Sequence, residues 1–192
     1  MIMLTEDFIV IDQLCLKSPG DAIAQWTSSG QTDFISRDGI SEWHSDREHA
    51  LEDPSLQRLF LLSTFVKFGK KHQVERLLDR WNYTDQLDKT WTDGKTVLVF
   101  ASKYGNSNIV ALLCRYGVEV NRSDNHGWAA LHYAAYYGHP NVAAHLLEHG
   151  ADRDAKTAMG HTPLTVAGNW TNNANLRRRR AEVKRILRAR GR

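Results

Sequence analysis

A chain of 192 residues with 42% apolar and 24% charged residues can build one substantial core or a short repeat array. No apolar run approaches the ~18 residues of a membrane span, and two cysteines, Cys15 and Cys114, cannot make a disulfide scaffold, so a reducing, cytoplasmic setting is expected. The net charge of +3 is uneven: residues 177–192 hold nine Lys or Arg against one Glu, and the other 176 residues sum to −5.

The chain starts "MIMLTEDFIVIDQLCL". Glu6, Asp7 and Asp12 break its apolar run and no basic segment precedes it, which argues against a secretory signal. "DFIVI" reads as a short strand, Pro19-Gly20 and Ser28-Ser29-Gly30 punctuate the next stretch of chain, and Trp26, Phe34 and Trp43 supply apolar surface. Residues 1–55 are expected to be an N-terminal extension of unknown fold that packs on the next element, with a small separate module or a partner-ordered arm as the alternative.

Beyond it the text repeats. Gly94, Gly127 and Gly160 lie 33 residues apart, with Leu98, Leu131 and Leu164 in register and Ala101, Ala134 and Ala167 likewise. A fixed period of this size signals stacked supersecondary units. In the middle unit Leu131, Ala134 and Ala135 have helical spacing, Gly138 stops the first helix, and Pro140 opens a second. Val142, Ala143, Leu146 and Leu147 form the second apolar face, which Gly150 ends. Helices this short need a neighbouring unit to cover them.

An earlier unit, "LLSTFVKFGKKHQVERLLDRW", matches the next one at 36 residues, with Asp53-Pro54 as its helix start. Its Phe65 replaces the small Ala, as suits an end where no preceding repeat presses close. Val183, Leu187 and Gly191 match Val142, Leu146 and Gly150 at 41 residues, so the last unit carries an insertion near 169–180, "NWTNNANLRRRR". The expected units are about 56–90, 91–123, 124–156 and 157–192.

"ALHYAAYYGH", "LLEHGAD" and "GHTPL" carry a resemblance to the ankyrin repeat family. The resemblance implies an all-α, ankyrin-type α-solenoid of about four helix-pair repeats over residues 56–192. It also implies that the family's capping hydroxyl is kept at Thr96 and Thr162 but lost at Ala129, loosening that cap. The motif histidine is kept only at His132. "LCRYGVEVN", ending at Asn121, looks like the loop that asparaginyl hydroxylases modify in ankyrin proteins.

The resemblance further implies a non-catalytic protein-binding module whose concave side is lined by hairpin tips and first-helix positions. Carried onto this sequence these are Thr92, Asp93, Lys95, Lys103 and Tyr104, then Asn125, His126, Trp128, Tyr136 and Tyr137, then Ala158, Met159, His161, Asn169 and Trp170. Five of the fifteen are Trp or Tyr, the commonest binding hot spots. The rival reading packs these rings between helices or covers them with residues 1–55.

The basic segment, Arg177, Arg178, Arg179, Arg180, Lys184 and Arg185, reads as a last helix preceded by a basic loop, solvated or used for nuclear import or an acidic partner. Trp170 beside it leaves a nucleic-acid contact as an alternative. His145 and His149 have a metal-compatible spacing, but their surroundings are ordinary repeat text, so no metal or cofactor is expected. No phosphate loop, nucleophile elbow or kinase signature is present, so no enzyme is expected. The expected chain is monomeric when free and binds another protein as adaptor, scaffold or inhibitor. A nuclear or nucleic-acid regulator and an assembly chaperone are the alternatives.

Overall fold

A computed structural model describes residues 54–81, 87–91, 93–168 and 171–189. The strand expected over "DFIVI", and Thr92, Asn169 and Trp170, lie outside the described residues. Eight helices occur among those that are described. They pair as α1 (Pro54–Lys67) with α2 (Lys71–Trp81), α3 (Val97–Tyr104) with α4 (Ser107–Arg115), α5 (Ala130–Tyr137) with α6 (Pro140–Glu148), and α7 (Pro163–Val166) with α8 (Ala174–Arg188).

The first helices stack in one row, α1 on α3 on α5 on α7, and the second helices stack in another, α2 on α4 on α6 on α8. Small residues let the first row close up: Ala101 and Ala134 are fully buried and Ala167 nearly so. All of Val97 to Ser102 is buried, because α3 is sandwiched on both sides. The second row contributes Leu77, Leu78, Ile109, Leu112, Leu113, Val142, Leu146, Val183 and Leu187 to one continuous core. Each such side chain contributes about 1.5–3 kcal/mol by burial. Phe65, which stands in the place of the small Ala in the first pair, is 2% exposed.

Between helix pairs the chain makes the same turn three times. The N–H of Gly94, Gly127 and Gly160 donates to the carbonyl of Trp91, Asp124 and Thr157 respectively. Successive turns are linked by Asn125 N–H to the Asp93 carbonyl and by Ala158 N–H to the His126 carbonyl, at 3.1 and 3.0 Å. Gly127 is required twice over, since its φ is +76° and a Cβ there would sit 2.7 Å from the Ala158 nitrogen.

The last pair departs from the others. The insertion near 169–180 is not a loop throughout, because residues 174–180 are helical and lengthen α8 at its N-terminus. Asn173 caps that end, its side chain accepting from the Leu176 N–H, and arginines are good helix formers. The added turns run over the end of α5. A Cβ on Gly138 would meet Leu176 Cδ1 at 3.0 Å, Arg179 Cβ at 3.1 Å and the Arg180 nitrogen at 3.3 Å. At the other end Arg153 donates to the carbonyls of Leu187 and Ala189, a cation placed where the helix dipole favours one.

Candidate functional site

The site is built from the turn at Asp124–Trp128 and from α5. Asp124 is 6% exposed. Its Oδ1 accepts from the N–H of His126 and of Trp128, both at 2.9 Å, and its Oδ2 accepts from the Tyr133 hydroxyl at 2.6 Å. One carboxylate therefore fixes the turn and ties it to α5. Burial, followed by the bond to Asp124, pushes the Tyr133 phenol far above its ordinary range.

His132 completes the scaffold. It is fully buried. Its Nδ1 accepts from the Ala129 N–H at 3.1 Å, so Nε2 carries the proton and lies 3.1 Å from the carbonyls of Ala155 and His161. Burial lowers its pKa, against the opposing pull of those carbonyls and of Asp124 and Asp152. The imidazole thus satisfies the Ala129 N–H and bridges to the next turn, while the His132 N–H that a hydroxyl at 129 would cap is left to the Ala129 carbonyl at 2.9 Å. Thr96 and Thr162 keep the hydroxyl cap, accepting from the N–H of Val99 and of Thr165 at 3.3 Å.

On this frame the rings pack against one another. Trp128 lies 5.2 Å from Tyr133 and 5.7 Å from Tyr136 between centroids, and Tyr136 lies 5.1 Å from Tyr137 at 85°. Tyr137 stacks on His139 at 6.4 Å. His139 Nε2–H in turn donates to the Lys103 carbonyl of the preceding repeat at 3.0 Å, and its pKa is lowered mainly by burial, with Arg179 adding to the effect. Trp128, Tyr133 and Tyr137 are half-buried, and Tyr136 is 37% exposed. With Asp124 and His126 they line an open cleft of about 180 Å³.

The expected residues fall into three groups. Trp128, Tyr136, Tyr137 and His126 come together at the cleft. Tyr104 sits one repeat away, half-buried, with the ammonium groups of Lys67 and Lys103 each 5.9 Å from its ring. Asn125, Ala158, Met159 and His161 are exposed on the turns, Met159 at 83%. Lys95 is not a solvated cation: its side chain is 12% exposed and its Nζ is 2.6 Å from Asp93. Asp124 and Tyr133 line the cleft without having been singled out. The signals were an acidic residue three before the turn glycine and a tyrosine one helical turn before Tyr136 and Tyr137.

The basic segment needs a correction. Arg180 does not belong to a solvated patch or loop. It is 4% exposed, its Nε donates to the Tyr136 carbonyl at 2.6 Å, and its guanidinium lies 4.7 Å from the Tyr136 ring centroid. A chain's own cation thus backs the most exposed ring of the cluster. Arg177, Arg178, Arg179 and Arg185 are exposed on α8, Arg185 pairing with Glu182 at 2.5 Å, and Lys184 is half-buried.

Other residues have structural partners. Asn121 clamps the neighbouring loop, donating to the Gly150 carbonyl at 3.0 Å and accepting from the Asp152 N–H at 2.8 Å. Burial pushes the Cys114 thiol up to about 11, leaving little reactive thiolate. His145 faces Glu148 and His149 bonds the His145 carbonyl; among the described residues no three His, Cys, Asp or Glu gather as metal ligands. No described helix is long and apolar enough to cross a membrane.

The family pattern for ankyrin repeats, in three copies, matches residues 62–157. The chain belongs to the ankyrin repeat family. No curated protein sequence matches it. Ankyrin repeats generally mediate protein–protein interactions, and such domains are typically non-catalytic. The described helix pairs are the ankyrin solenoid. The matched span includes the Trp128 cluster and stops before α8.

Proposed function

We propose that this ankyrin array is a non-catalytic adaptor, scaffold or inhibitor that binds one partner protein through the Trp128–Tyr136–Tyr137 surface. The observation that carries the reading is the cleft itself. Four rings held by Asp124, His132 and Arg180 remain partly open to solvent rather than sinking into the core. Rings positioned before binding lose little entropy when a partner covers them, and aromatic residues dominate interface energetics. Tyr104 and the turn residues Asn125, His126, Met159 and His161 extend the surface along the array. Little backbone change is needed on binding. The proposed setting is the cytoplasm or the nucleus.

The test is affinity capture from the native cell with the wild-type chain and with Trp128→Ala/Tyr136→Ala, both checked for fold by circular dichroism. The expected result is a protein that the folded wild type retains and the folded double variant loses, with affinity reduced at least tenfold. Undiminished capture by a folded variant would contradict the reading.

A further inference from the structure

The helix α8 carries its positive charge where helix electrostatics disfavour it. Its first turn holds no acid, and four consecutive arginines, Arg177 to Arg180, fill its N-terminal half. The helix dipole is positive at that end, so cations there cost stability instead of adding it. The only acid on the helix, Glu182, is engaged by Arg185. Arg177 and Lys184 have no ion pair among the described residues.

These charges converge. Arg177, Arg180 and Lys184 are spaced three and four residues apart, so they share one helix face, and Ala181 lies between them. That face and the residues Ala167, Gly168 and Thr171 line a cleft of about 270 Å³, and among the described residues no acidic side chain lines it. Arg180 is fixed in the wall by the Tyr136 carbonyl and ring. Thr171 Oγ1 accepts from the Asn173 N–H, which leaves its O–H to donate. Arg178 and Arg185 are each one residue further along, about 100° around the helix, so they lie off this face and only Arg177, Arg180 and Lys184 line the cleft.

We infer that this cleft binds a single phosphate group of the kind carried by a phosphorylated serine or threonine side chain of a partner. A phosphate monoester brings about −1.5 to −2 charges and three acceptor oxygens at neutral pH, matching three converging cations and a hydroxyl. A nucleic-acid backbone would need cations along a longer path than the ~10 Å of helix from Arg177 to Lys184. The two sites meet at Arg180, which Tyr136 holds, but phosphate binding here does not require a partner on the Trp128–Tyr137 surface.

The test titrates the full chain with inorganic phosphate, then with phosphoserine, at constant ionic strength, following backbone amide resonances. Saturable shifts confined to Gly168, Thr171, Ala181 and Lys184 are expected. Binding of phosphoserine should weaken below about pH 6, as the phosphate dianion takes up a proton and becomes a monoanion. Arg177→Gln/Lys184→Gln should lose at least tenfold in affinity without a lower Tm, since it removes like charges. Arg177→Gln alone, an exposed position, should lose at least threefold and guards against misfolding of the double variant. Linear shifts spread over all basic residues, unchanged affinity in folded variants, or tighter binding of a short oligothymidylate than of phosphoserine would each overturn the inference.

Discussion

The third and fourth repeats solve the same packing problem with different parts. In the third, α5 and α6 have 8 and 9 residues and bury small and aliphatic side chains on both helices. In the fourth, α7 has only 4 residues and α8 has 15. The shortened first helix cannot cover the end of α5, and the added turns of α8 do so instead, with Leu176, Arg179 and Arg180 against Gly138. The fourth repeat thus sets an amphipathic helix in place of a buried alanine one: Val183 and Leu187 are buried while Arg177, Arg178 and Arg185 are exposed. The difference teaches that the arginine run is partly architecture: one of its members is buried and the others share its helix.

The comparison can be broken by mutation, beginning with the core. Leu146→Ala in α6 should cost about 2–5 kcal/mol, because the side chain is fully buried in the middle of the array. The matched Leu187→Ala in α8 should cost less, since that site is 5% exposed where Leu146 is fully buried. Equal losses in urea melts would mean that the fourth repeat is as tightly packed as the third.

Arg180→Ala should cost about 1.5–3 kcal/mol, the range for a hydrogen bond to a charged group. Arg178→Ala, on the exposed side, should stay within about 0.5 kcal/mol. Arg180→Lys should not restore the loss, because an ammonium cannot both stack on Tyr136 and reach its carbonyl as a planar guanidinium does. Thermal melts of the three variants side by side check this.

The third repeat also holds the buried His132 and the half-buried His139, where the fourth has Thr165 at the position of His132. His132 and His139 have pKa values lowered by burial. The unfolded chain therefore takes up protons first as pH falls below the ordinary histidine value of about 6.5. Stability should be level above that pH and decline below it, and the difference in Tm between pH 7 and pH 5 should shrink in His132→Asn. A variant with the full wild-type pH slope would remove His132 as a source. The smallest effect is a gain. Ala129→Thr should add about 0.5–1 kcal/mol by restoring the hydroxyl cap seen at Thr96 and Thr162.

Much of the array was legible because periodicity is local. Leu98/Leu131, Ala101/Ala134 and the turn glycines occupy equivalent places, and all four helices of the two central repeats lie where spacing, glycine and proline put them. The sequence did not disclose which way the arginines turn. Four identical neighbours carry no apolar pattern of their own; Arg180 is buried because it lies three and seven residues before the buried Val183 and Leu187, on the face that approaches Gly138. Lys95 misled for a similar reason: its pairing with Asp93 is a turn geometry, not a spacing rule. Asp124 was missed because one carboxylate serving two backbone N–H groups and a tyrosine looks like an ordinary turn acid.

The docking of α8 on the third repeat is tested most directly by amide hydrogen exchange across residues 174–181. The predicted result is slow exchange, comparable with α6, that is lost in Arg180→Ala at these residues while α6 keeps its protection. Exchange at the rate of an unstructured chain in the wild type, or protection indifferent to Arg180, would contradict it.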